Sequence, residues 1–241
     1  MQKIQKDKEK IASMFDEIAQ SYDRADHILS MGVDHIWRRK IRKLIQRDFP
    51  QQSISILDIA TGTADLAIEM AKIEQSKIVG IDIAEQMLAV GKEKVNRKHL
   101  QNIELRRADA LKIPFSDNSF DVVTVAFGVR NFENLEAGIK EIFRVLKPNG
   151  RYYILELTRP IAIFRPFYSI YLYYILPILG FLITQKKTAY VYLKNTIRDF
   201  HQDDALDAFF INQGFKNTSF THLSLGIATI YKGIKIKKEI I

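Results

Sequence analysis

A chain of 241 residues that is 47% hydrophobic can bury a full core, and one α/β domain with insertions is the expectation at this size. The absence of cysteine excludes disulfide staples, thiolate nucleophiles, Cys-ligated zinc and iron–sulfur clusters, and is consistent with a reducing, cytoplasmic setting. A net charge of +8 fits an anionic partner, but the basic residues are scattered, so a solvated basic surface is weighed against membrane lipid and no nucleic-acid partner is expected. The lysine-rich start has no apolar stretch behind it that would read as a leader, and residues 11–26 read as an amphipathic helix within an N-terminal helical segment, 1–50. A core of β-branched runs alternating with helical periodicity follows over 51–157, which predicts a mostly parallel, doubly wound sheet. Its strands are read at 53–60, 77–82, 102–109, 120–127 and 152–157, with helices at 65–73, 85–97 and 135–146, the last stopped by Pro148-Asn149-Gly150. Residues 158–200, rich in tyrosine, leucine and isoleucine and carrying prolines at 160, 166 and 177, break the alternation and read as an insertion. A helix at 203–213, capped by Gly214, and strands at 216–221 and 228–232 complete the sheet within 201–241, with an antiparallel pair at one edge.

In an open parallel sheet the ligand lies beyond the carboxyl ends of the strands, so residues that end strands carry the information. The first strand runs into Asp58-Ile59-Ala60-Thr61-Gly62-Thr63-Ala64-Asp65, a turn of small residues that lets a ligand approach the backbone. The second ends at Asp82, about 20 residues after the glycine turn, the spacing at which an acid meets ribose hydroxyls. The third ends at Asp109-Ala110, where a carboxylate could accept from an adenine amino group. A dinucleotide would set its pyrophosphate on the helix start, where Asp65 would repel it and occupy the same amides. S-adenosylmethionine brings a sulfonium and an ammonium instead, and Asp58 could offset their charge without touching the sulfur. Taken singly, each aspartate is as readily a turn or cap residue.

At this point the chain resembles the ubiquinone/menaquinone biosynthesis C-methyltransferases, class I enzymes that use S-adenosylmethionine. MFDEIAQSYDRADHILSMGVDHIWRR (residues 14–39) is similar to their N-terminal block, LDIATGTADLA (57–67) to the cofactor loop, and FGVRNFENLEAGIKEIFRVLKPNGR (127–151) to the central signature. YSIYLYYILPILG, YVYLKNTIRDF and LSLGIATIYKGIK follow the C-terminal blocks. The resemblance implies a Rossmann-like class I methyltransferase fold and a cofactor held by the glycine loop with Gly62 and Thr63, by Asp82, and by Asp109 and Ala110. It departs at Ala64, where a second glycine is usual and alanine costs little only at negative φ, at Ala126, where many members have a serine, and at Gln185, where an aspartate is frequent.

The acceptor that the resemblance implies is a prenylated quinol methylated on a ring carbon, demethylmenaquinol ahead of a polyprenyl benzoquinol. A ring carbon becomes nucleophilic when an adjacent hydroxyl ionises, so catalysis needs in-line alignment with the sulfonium methyl and stabilisation of a phenolate; no metal is required. Arg130 and Asn131, in the loop after the fourth strand, are the candidates for holding that oxygen, against a reading as a loop-ordering pair. No histidine is assigned as a base; Tyr22 and Asp23 could close over the cofactor, with Tyr22 read equally as an apolar-face residue of the first helix. Residues 167–183 carry no charge but are short for a span and contain Pro177 and Gly180, so a lid over an isoprenoid tail with peripheral membrane contact is expected, against a buried hairpin on the sheet. An NAD-dependent oxidoreductase would share the fold and Asp82, but lacks support from the glycine pattern and from Asp65.

Overall fold

The computed structural model describes residues 7–236. Its centre is a seven-stranded sheet of β1 (Ile54–Ile59), β2 (Ser76–Asp82), β3 (Ile103–Arg107), β4 (Phe120–Ala126), β5 (Leu146–Leu157), β6 (Lys216–Leu223) and β7 (Ala228–Ile234). Their order is β3-β2-β1-β4-β5-β7-β6, with the first five parallel and β7 antiparallel to both neighbours. The order reverses between β1 and β4, which opens the crevice at their carboxyl ends. Side chains alternate along each strand, as the period of two requires. Ile54 and Ile56 of β1, Val122 of β4 and Leu155 of β5 face the layer formed by α2 (Val33–Asp48), α3 (Asp65–Met70) and α4 (Glu85–Arg97). Leu57, Ile59, Val123 and Ile154 face α5 (Leu135–Val145) and α9 (Asp204–Gln213). Tyr152 stacks on Phe210 at 4.1 Å, fastening α9 to the second layer.

Some boundaries differ from the sequence expectation. The third strand stops at Arg107, so Asp109 lies past it in a single bridge to Lys112. Pro148-Asn149-Gly150 does not end α5, which stops at Val145. Instead β5 starts at Leu146 and the four residues that follow are absorbed between two registers, Phe120 against Leu146 and Val122 against Arg151. The backbone of Asn149 and Gly150 then pairs with Lys235, which satisfies the bulge.

The N-terminal helix α1 (Lys8–Leu29) is longer than its apolar period shows, because Asp7 caps it by accepting from the amides of Glu9 and Lys10. It lies across the ligand end of the sheet. Ala12 and Ala19 pack on Ala84 and Met87 at the start of α4, and Ile18 and Ala25 pack on the insertion. Ala84 has no side chain with which to cap α4, and Asp16 of α1 supplies the missing acceptor to the amides of Gln86 (2.8 Å) and Met87 (3.4 Å). The insertion is mainly helical: α6 (Arg165–Ile170), a wider turn at Tyr171–Ile175, α7 (Leu176–Thr184) and α8 (Lys187–Asp199). It does not lie on the sheet as a buried hairpin, since most of Ala162–Phe181 faces outward.

Candidate active site

Two cavities meet under α1 at the carboxyl end of the sheet. The smaller, about 110 Å³, is lined by Gly62, Asp82, Asp109, Ala110 and Asn131 from the strand ends and by Lys8, Phe15 and Tyr22 from α1. The larger, about 440 Å³, is enclosed by α1, the insertion and the β6–β7 turn, and its walls are almost wholly apolar. Phe15, Tyr22 and Phe127 line both, so these rings form the seam between the two spaces.

Asp82 ends β2 with both carboxylate oxygens oriented by backbone: Gly62 N–H donates to Oδ2 at 2.8 Å and Ala84 N–H to Oδ1 at 2.9 Å. Each oxygen keeps a further lone pair for a ligand. Burial raises its pKa against the pull of those amides. Gly62 sits at φ +54, and a Cβ there would meet the Met87 methyl at 3.3 Å, so the bare backbone forms part of the wall. At Asp109, burial opposes ionisation but Lys8 (2.8 Å) and the Leu111 amide outweigh it and lower the pKa.

Other loop residues are engaged differently from what the sequence indicates. Ala64 adopts φ +67, not the negative φ at which alanine is unstrained, and it is fully buried against the position of Gly91. Thr63 lines neither cavity; its hydroxyl donates to Asp23 of α1. Asp65 does not occupy the amides of its own helix, because its carboxylate pairs with Lys94 and lies 3.8 Å from Arg38. Asp58, 1% exposed, accepts hydroxyls from Thr61 (2.6 Å) and Thr124 (2.7 Å), and burial pushes its pKa up to about 6. It holds the loop's shape from below and lines neither cavity.

Arg130 and Asn131, neighbours in sequence, are split between the two spaces. Arg130 borders the large cavity and is buried against Glu156, a fully buried carboxylate at the end of β5 that also accepts the amides of Arg130 (3.1 Å) and Leu157 (2.9 Å). Burial works against its charge, but the Glu156 carboxylate more than offsets this and raises its pKa. Its Nε–H is buried with no partner among the described residues. Asn131 borders the small cavity, its Oδ1 accepting from Tyr192 at 3.1 Å.

The sequence did not point to Glu156, nor to the pairing of Asp23 and Asp65 within a charged network beneath the seam. There Arg38 bonds Asp34 and Asp26 (2.7 Å to the latter), Asp34 accepts from Ser30 (2.6 Å) and contacts His27 (2.9 Å), and Lys94 joins Asp23 to Asp65. Asp26 borders the large cavity, and burial raises its pKa despite the Arg38 guanidinium. Among the described residues no histidine lines either cavity.

Residues 1–235 match the ubiE/COQ5 methyltransferase family. A demethylmenaquinone methyltransferase of Porphyromonas gingivalis is 38% identical over 94% of this chain and 93% of its own. A ubiquinone/menaquinone biosynthesis C-methyltransferase UbiE of Geotalea daltonii is 42% identical over 98% of this chain and 100% of its own. A SAM-dependent methyltransferase from Thermotoga maritima, described as a possible histamine N-methyltransferase, shares the fold at 16% identity, with a TM-score of 0.63 over 92% of this chain and 98% of that one. Another from Aquifex aeolicus, 18% identical, gives 0.57 over 80% of this chain and 88% of that one. With a match that runs from the N-terminal helix through the insertion to the last strand, this chain belongs to the ubiE/COQ5 methyltransferase family.

Proposed function

We propose that the small cavity holds S-adenosylmethionine and the large one a prenylated quinol, and that the enzyme methylates a ring carbon of demethylmenaquinol to give menaquinol. The observation that carries this reading is the seam: two cavities of different character, one edged by strand-end carboxylates and one apolar, share Phe15, Tyr22 and Phe127. In this assignment Asp82 receives the ribose hydroxyls on lone pairs left free by the Gly62 and Ala84 amides. Asp109 and Ala110 flank the adenine, with Lys8 competing for the carboxylate. Thr63 acts by tying the glycine loop to α1 through Asp23. Ligand pockets usually exceed about 300 Å³, so the 110 Å³ space has to widen to admit the donor, and α1, which roofs it, is the element placed to move. Its bonds to α4 through Asp16 and to the loop through Asp23 are the contacts that would break and reform.

The bound donor supplies an electrophilic methyl. The protein's part is to align the acceptor carbon across the seam and to stabilise the phenolate that forms as its hydroxyl releases a proton to water. The carbon–methyl bond forms as the methyl–sulfur bond breaks, the neutral thioether leaves, and the proton on the methylated carbon passes to the oxygen to restore the aromatic quinol. Arg130, anchored by Glu156 on one side, borders the large cavity with its charge, and its unpartnered Nε–H, which has no exposed surface in this structure, would reach that oxygen only after a shift of the side chain. Asn131, held by Tyr192, orders the loop on the donor side. The apolar walls of residues 158–200 accommodate the isoprenoid tail, while 51–157 supply the donor site. Such an acceptor resides in lipid, and peripheral attachment of a cytoplasmic enzyme at the inner membrane face follows from it. Anaerobic incubation with labelled donor and, side by side, reduced demethylmenaquinone and a polyprenyl benzoquinol tests the acceptor: transfer confined to the benzoquinol overturns the naphthoquinol assignment. A titration with NAD that matched one with S-adenosylmethionine would overturn the donor.

A further inference from the structure

We infer that the outer face of Ala162–Phe181, with the two turns beside it, docks on an anionic lipid bilayer, and that the large cavity opens through this face into the lipid. Apolar residues at helical spacing normally face a protein core. Here the stripe is turned outward: Ile163, Phe167, Ile170, Tyr174 and Ile178 recur every three or four residues and are 73%, 70%, 54%, 69% and 62% exposed. The opposite side is the one that packs, with Leu172 and Leu176 buried against Ile18 and Ala25 of α1, and Tyr171 donating its hydroxyl to the Leu29 carbonyl at 2.6 Å. The segment is long and apolar enough to cross a membrane, but it is fastened lengthwise to the protein. A helix with one side on protein and an apolar side free is oriented to lie in the interfacial plane.

The mouth of the large cavity coincides with this face. Phe164 and Phe167 line the cavity and are exposed, and Met31 and Leu225 do the same from the α1–α2 and β6–β7 turns. Met31 and Leu225 sit at φ +52 and +59, which holds each side chain out on a tight turn. An exposed apolar surface that rims an apolar cavity marks an interaction site, and a tail passing from lipid across this rim is never transferred into water.

Charge selects the partner. From residue 157 to 198 there are six cations, Arg159, Arg165, Lys186, Lys187, Lys194 and Arg198, and no Asp or Glu. Arg159, Arg165 and Lys194 have no ion pair among the described residues; the two guanidinium groups contact Gln202 and the Pro160 carbonyl, and the Lys194 ammonium lies 4.8 Å from the centre of the Tyr173 ring. Lys186 and Arg198 pair with Glu17 and Asp199, and an anionic headgroup layer answers Arg159, Arg165 and Lys194. A second copy docked through the same face would set like charges against each other, which disfavours a symmetric dimer here.

The inference takes only the identity of the cargo from the quinol reading; the docking surface stands without it. The test is co-sedimentation of the full chain with vesicles of phosphatidylcholine alone and of phosphatidylcholine mixed with phosphatidylglycerol. Binding to the mixed vesicles, weakened by salt, is expected. Ile163→Glu with Ile178→Glu should lower that affinity by at least about tenfold, and Arg159→Glu with Arg165→Glu should remove the preference for phosphatidylglycerol. None of these residues lines either cavity, so both variants should keep donor affinity and the rate on a short-tailed, water-soluble quinol. The docking surface is overturned if the wild type ignores both vesicles, if the variants bind as the wild type does, or if the protein is a dimer that the isoleucine variant dissociates. Vesicle binding without methylation of any quinol leaves the docking surface intact and removes the acceptor assignment.

Discussion

Truncating Arg130 to alanine is a poor test of its role, because it would leave Glu156, which is fully buried, without its counter-charge. Stranding one member of a buried pair costs about 3–5 kcal/mol, a large share of the stability of a domain. Arg130→Lys keeps the charge beside Glu156 and removes the orphaned Nε–H and the planar fork. A hydrogen bond to a charged oxygen is worth about 1.5–3 kcal/mol, and at 1.4 kcal/mol per decade its loss from the transition state lowers kcat roughly 10- to 150-fold. The contact strengthens only as phenolate charge develops, so KM for the quinol and the affinity for S-adenosylmethionine should change little. Steady-state rates on the reduced acceptor, donor calorimetry and a thermal melt separate these quantities. A variant that bound the donor more weakly yet turned over normally would place Arg130 on the donor side and refute the reasoning.

Asp82→Ala should weaken S-adenosylmethionine by about 1.5–3 kcal/mol per lost ribose contact and also lower stability by about 1–3 kcal/mol, because the Gly62 and Ala84 amides lose their acceptor. A lower melting temperature with unchanged donor affinity in calorimetry would make Asp82 a loop tie only. Asp16→Ala removes the cap that α1 lends to α4 and should cost about 1 kcal/mol in denaturant titration, whereas unchanged stability would show that α1 does not fasten the helix. Asp58 is raised from 3.8 to about 6, so between those pH values the folded chain holds a proton that the unfolded chain has released. Its contribution is therefore present at low pH and lost as pH rises through 6, about 3 kcal/mol in all. Asp58→Asn should flatten the stability profile by that amount in this window, and a profile parallel to the wild type would show that burial does not hold the proton.

The centre of the sheet was legible because β1, β4 and the second half of β5 are buried on both faces and read as continuous apolar runs, as in FDVVTVAF, and because Asp82 follows the glycine loop at a spacing set by one βα unit. Glu156 could have been found by the rule that singled out Asp82, since it is the one acid near the end of an otherwise apolar fifth strand. The partnership of Asp16 with α4, of Asp23 with Thr63 and of Lys94 with both Asp23 and Asp65 was not legible, because these pairs join residues between 29 and 71 positions apart through helix packing that leaves no local pattern. Ala64 shows the limit of a substitution rule: its cost turns on a φ that the sequence does not state and that is +67 in the structure. The insertion was legible as an apolar segment set apart from the sheet, but not which of its residues face outward, because periodicity shows that a stripe exists and not which way it faces.

The central claim is that a phenolate carbon accepts the methyl across the seam of the two cavities. The most direct measurement is the anaerobic rate of label transfer from S-adenosylmethionine to demethylmenaquinone in its reduced and oxidised forms, with the same enzyme and the same tail. The account predicts transfer to the quinol and none to the quinone, which has no hydroxyl to ionise. Equal rates on the two forms would contradict it.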